Sequence, residues 1–119
     1  MPWLLREDQV LASLEIADTR PARRRGLLGR DGIEGALLIE GTRSVHTVGM
    51  RFPIDVAHLD AEGRVLRTCT MPRHRIGLPV LRARRVLEAE AGCFARWQLE
   101  PGQVLDVRAE RPDGHADER

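Results

Sequence analysis

Apolar positions along this chain come in short alternating runs, and glycine, proline and acidic residues separate the runs. That pattern predicts strands joined by turns. VLASLEIA at 10–17 reads as a first strand behind a short arm over 1–9. Asp18 or Thr19 followed by Pro21 then starts a helix, because an oxygen-bearing cap and an early proline suit the unsatisfied first amides. The helix is expected to carry ARRRGLL at 22–28 and to end near Gly29, with Gly26 inside it marking close backbone packing. Strands follow at ALLIEG (36–41), VHTVGM (45–50), IDVAHLD (54–60) and RVLRTCTM (64–71). The last two are linked through Asp60-Ala61-Glu62-Gly63, whose acid and glycine fit a tight hairpin.

PRHRIGLP at 72–79 is bracketed by prolines and reads as an exposed arginine-rich loop. RVLEAEA at 85–91 is a strand, CFARWQL a short helix placing Phe94 beside Trp97, and VLDVRA at 104–109 a last strand after the Pro101-Gly102 turn. The segment from 110 to 119 offers no apolar anchor and is expected to be disordered. The expected fold is therefore mainly β, of β-rich α+β type: a compact antiparallel barrel or sandwich-like domain over 10–109. One helix follows the first strand and a short second one lies near the C-terminus.

Composition narrows the function classes. The 119 residues suit one core, and with aromatics at 3% that core must be aliphatic. Every one of the 19 basic residues is arginine against 18 acids, so the net charge of +1 supplies no overall field for nucleic acid or an anionic membrane. Without lysine there is no Schiff-base chemistry and no lysine phosphate clamp. Cys69 and Cys93 show no CxxC spacing; one bridge between them is open if their strands neighbour each other, but they read first as two reduced, buried thiols. No apolar run is long enough for a signal peptide or a membrane span, so a cytoplasmic location without membrane insertion is expected.

The chemistry worth weighing gathers in SVHTVGMRFPIDVAHLD at 44–60. Strand alternation sends Ile54, Val56 and His58 one way and Asp55, Ala57 and Leu59 the other, both faces being mostly apolar. A buried Asp55 must find donors, either the amides of the Met50–Pro53 turn or the Arg51 guanidinium. His46 and Asp55 are the catalytic candidates, an acid/base pair for a small hydrolase or isomerase. The plainer reading makes Asp55 a turn anchor and His46 a strand residue, since Ser44, Thr47, Thr68 and Thr70 lack a nucleophile setting. His46, His58, His74, Cys69 and Cys93 are potential ligands without metal-site spacing, so neither metal nor cofactor is expected.

Arginines cluster at 23–25, at Arg73 and Arg75, and at 82–85. Brought together by the fold, they would rim an anion site to which Arg51, Arg73, His74 and Arg75 contribute. The expected partner is a small polar or anionic ligand, a glycan or a protein. Nucleic acid is not expected, because stacking aromatics are scarce.

Three blocks, GLLGRDGIEGALLI at 26–39, VHTVGMRFPIDVAHLD at 45–60, and VLEAEAG at 86–92 followed by PGQVL at 101–105, resemble the family catalogued as domain of unknown function 192. The matching positions are the Gly26-Leu27-Leu28 turn, Pro53 to Asp55, and Leu87-Glu88 with Gly92. The resemblance implies a compact β-rich domain without an established catalytic activity. Many relatives carry an aromatic-Met-Lys-Asn-Thr stretch before the proline and aspartate, where this chain has His46 to Arg51. A role for the family's tryptophan therefore does not transfer to His46. Many relatives are exported and some actinobacterial ones lie near pilus-assembly genes, which implies a link to secretion or pilus assembly. The preferred function is a non-enzymatic binding or accessory module.

Overall fold

The computed structural model describes residues 1–112. In chain order the elements are β1 (Trp3–Arg6), β2 (Gln9–Ala17), α1 (Arg20–Arg25), β3 (Ala36–Glu40), β4 (Ile54–Leu59), β5 (Val65–Met71), β6 (Arg85–Glu90), α2 (Cys93–Trp97) and β7 (Asp106–Arg108). All seven strands share one sheet in the order β5-β4-β6-β3-β2-β1-β7. The sheet's ends meet where β5 and β7 begin: Val65 N donates to Gln103 O at 2.8 Å and Leu105 N to Gly63 O at 2.9 Å. Gly63 permits this approach, because at φ +88° an added Cβ would lie 2.4 Å from Leu105 O. The sheet thus curls towards a barrel whose ends touch at residues 63–65 and 102–105.

The mainly β fold is the one the sequence predicts, with one exception in its pairing. β2 and β3 run parallel, in register from Leu14↔Ala36 to Ala17↔Ile39. Parallel neighbours cannot be joined by a hairpin, so residues 18–35 cross over a face of the sheet and carry α1 with them.

Alternation along the strands builds two apolar cores. Ala36, Leu38, Ala57, Leu59, Leu87 and Ala89 join Phe94, Leu99 and Leu105 on one face. Leu37, Ile39, Ile54, Val56 and Val86 lie on the other, under Leu27, Ile33, Val45, Met50 and Phe52 from the connections. β4 is buried at all six positions, as a strand covered on two sides must be.

Several elements differ from expectation. The expected arm contains β1, which pairs with both β2 and β7. Its turn places Glu7 at φ 51° and Asp8 at φ 68°, a two-residue hairpin made without the glycine or asparagine that usually announces one. VHTVGM is not a strand: only a bridge, His46↔Ile76, remains. Thr47, fully buried, turns this segment into a clasp, donating from Oγ1 to Pro72 O at 2.6 Å and accepting from Arg75 N at 2.8 Å. α1 stops at Arg25 because Gly26 takes φ 50° and ψ −128°, a conformation unsuited to other residues, so Gly26 ends the helix.

β7 is confined to Asp106–Arg108, since Val104 and Leu105 turn away to meet residues 63 and 64. α2 is short and brings the Phe94 and Trp97 rings to 5.7 Å. Cys69 is half-buried and packs on one core while Cys93 belongs to the other, so the sheet separates the two free thiols. Of the expected disordered tail, residues from 113 onward lie outside the described residues; Arg111 stacks 5.1 Å over Trp3.

Candidate functional site

Glu88 occupies the middle of β6, opposite Leu37 on β3 and Val56 on β4. Alternation with Leu87 and Ala89 turns it, like Val86, towards the face covered by the connections. The residue is 5% exposed, and among the described residues its carboxyl makes no hydrogen bond or ion pair. Burial without a partner pushes its pKa from 4.5 up to about 7. A carboxyl in that condition holds a proton through mildly acidic pH and can act as donor or acceptor near neutrality.

Above Glu88 opens a cleft of about 360 Å³ between α1 and the 41–50 connection. Thr19 caps α1, its Oγ1 accepting from Ala22 N at 3.2 Å, and Arg23, Arg24 and Arg25 follow in the last turn. The Gly26 turn sends Leu27 back into the core, leaving the arginines at the mouth. Gly26 itself sits against the acid: a Cβ there would lie 4.0 Å from Glu88 Oε1. Arg23 reaches across the cleft, its guanidinium passing over Gly41. Ser44 and His46 complete the far wall, and His46 Nδ1 accepts from Val48 N at 3.3 Å. The floor is acidic and apolar; the rim is cationic.

Asp55 has a different setting. It is 3% exposed and accepts from Thr70 Oγ1 at 2.7 Å, Gly92 N at 2.9 Å and Phe94 N at 3.0 Å. Its donors are therefore not the Met50–Pro53 amides or Arg51. Gly92 has no side chain with which to cap α2, and Asp55 supplies the missing acceptor from β4. His46 is not among its partners. Asp55 faces α2, whereas His46 lies with Glu88 on the other side of the sheet, so the fold does not assemble the expected acid/base pair.

The remaining candidates disperse. Arg51 pairs with Asp31 at 3.0 Å in solvent. Arg73 and Arg75 stand on the exposed 72–80 loop and do not line the cleft, while His74 Nδ1 accepts from Gly49 N at 3.3 Å as a tie between loops. The predicted arginine rim thus splits, and only the helix cluster reaches the cleft. Pro53 supplies a carbonyl to Ala91 N at 3.2 Å, and Gly92 adopts φ 100°. His58 is buried, and among the described residues neither of its ring nitrogens has a hydrogen-bond partner; burial and the nearby Arg67 lower its pKa. Among the described residues no group of three metal-ligating side chains comes together.

Sequence reasoning took Glu88 for a structural position and missed it as a site. The available signal was an acid within a strand whose neighbours on both faces are apolar.

A family profile, the domain of unknown function 192 described as "Uncharacterized ACR", matches residues 4–107. The chain belongs to this family. Among solved structures, the domain is similar to a protein of unknown function from Novosphingobium aromaticivorans, with a TM-score of 0.74 and 19% identity over 88% of this chain and 82% of that one. It is equally similar in fold to a Sinorhizobium meliloti protein provisionally described as a transcription regulator, with a TM-score of 0.74 and 22% identity over 89% and 91% of the two chains. At these identities the likeness concerns the fold alone. No curated protein matches the sequence. Among the described residues no helix is long and apolar enough to cross a membrane.

Proposed function

We propose that this member of the family is a binding module whose cleft takes a small polar ligand bearing an anionic group. One observation carries the reading: the Glu88 carboxyl, buried and without a partner among the described residues, lies at the floor of a cleft whose mouth is lined by arginines. A buried polar group lacking a partner is costly in a purely structural role, and a ligand can complete it. The arginines would hold the anionic group through forked hydrogen bonds, and protonated Glu88 would donate to a ligand oxygen. An apolar stretch of ligand would rest on Leu27, Ile39 and Met50 between them. The hydrolase or isomerase alternative loses its support because His46 and Asp55 lie apart.

The test is isothermal titration calorimetry with inorganic phosphate, citrate and small hydroxy acids at pH 6 and pH 8. Binding should weaken at the higher pH as Glu88 acquires charge, and Arg23→Gln with Arg24→Gln should weaken it about tenfold or more. Glu88→Gln should flatten the pH dependence. Affinity unaffected by the arginine pair would refute the reading, as would silence from every anion at millimolar concentration.

A further inference from the structure

The loop after β5 is a second feature, separate from the cleft. Ile76, Leu78 and Leu81 are 80%, 74% and 80% exposed within six residues. Large aliphatic side chains grouped in this way mark an interaction surface rather than ordinary scatter. Their display is built into the fold: Gly77 N donates to Val45 O at 2.8 Å, Val80 N to Arg43 O at 3.1 Å, and Ala83 N to Val80 O at 3.0 Å. The apolar tip is therefore pinned from beneath by its backbone.

Charge around the tip is one-sided. From Gly63 to Leu87 the chain has seven arginines and no acid, although its overall charge is only +1. Arg73 and Arg75 precede the tip, Arg82 and Arg84 follow it, and all four are exposed. Among the described residues none of the four makes a salt bridge.

We infer that the 72–84 loop docks on an anionic phospholipid surface, with Ile76, Leu78 and Leu81 entering the acyl boundary and the flanking arginines meeting lipid phosphates. The two signals reinforce each other, since apolar insertion and electrostatic attraction are each weak alone. A second copy of the chain is a poorer occupant, because a symmetric contact at this loop would set arginines against arginines. Three aliphatic side chains this exposed can enter a bilayer without a preformed groove.

Co-sedimentation of the full chain with vesicles would test this, comparing phosphatidylcholine alone with an equal mixture of phosphatidylcholine and phosphatidylglycerol. The expected result is binding to the anionic vesicles only, reduced at least about tenfold by Ile76→Ser/Leu78→Ser/Leu81→Ser and by glutamine at Arg73, Arg75, Arg82 and Arg84. Thermal melting of each variant checks its folding, and single Ile76→Ser and Leu81→Ser variants serve if the triple variant unfolds. Failure to bind anionic vesicles overturns the inference. So does binding that the serine variants leave unchanged, and so does capture by soluble polyglutamate in place of vesicles, which would point to an acidic protein partner.

Discussion

Two buried carboxyls stand on neighbouring strands, Asp55 on β4 and Glu88 on β6, and the sheet gives them opposite circumstances. Asp55 has three donors, one hydroxyl and two amides at the start of α2. Glu88 has none among the described residues and looks instead into an arginine-lined cleft. Similar exposure thus hides different roles. The first acid fastens a helix to a strand, and the second costs stability while leaving chemistry available at the cleft floor.

The largest effect should come from breaking the satisfied member. Asp55→Ala leaves the buried Phe94 amide, the part-buried Gly92 amide and the Thr70 hydroxyl without their acceptor and should cost about 2–4 kcal/mol in denaturant unfolding. A neutral result would contradict the anchoring role.

Next comes the unsatisfied member, whose effect depends on pH. Its folded pKa of about 7 lies above the unfolded value near 4.5, so the folded state holds the proton more tightly. Stability is therefore retained below about pH 4.5 and lost as pH rises towards and through 7, by roughly 3 kcal/mol. Glu88→Gln removes this loss. The variant's stability relative to the parent should rise between pH 5 and pH 8, and parallel pH profiles would show that Glu88 is not buried without a partner.

Thr70→Val sharpens the contrast on the Asp55 side by removing one donor of three. A loss of about 1 kcal/mol is expected, smaller than for Asp55→Ala because both amides remain paired. Smallest of all should be Arg51→Ala, which breaks an exposed pair with Asp31. A change within about 0.5 kcal/mol in thermal melting would fit a solvent-screened contact.

Much of the architecture was legible along the chain. The apolar run of β4, the 60–63 hairpin, Thr19 with Pro21 at the head of α1, and the pairing of Phe94 with Trp97 all follow from local rules. Burial of Asp55 was legible too, because a strand covered on both faces leaves an acid nowhere exposed to go. β1 was not, since its hairpin uses Glu7 and Asp8 at positive φ and carries no glycine signal. The loop character of 45–50 was equally hidden, because Thr47 bonds to residues 72 and 75, beyond the range of any local pattern.

The sequence by itself determined the strand-rich class, the aliphatic core and the family, because periodicity and turn chemistry act between near neighbours. Only the tertiary structure decided which residues meet. It placed Glu88 beneath the helix arginines, gave Asp55 the amides of α2, and set His46 on the other side of the sheet from Asp55. The physical reason is that a polar group's solvation is set by whatever lands beside it. Here those neighbours lie tens of residues away along the chain.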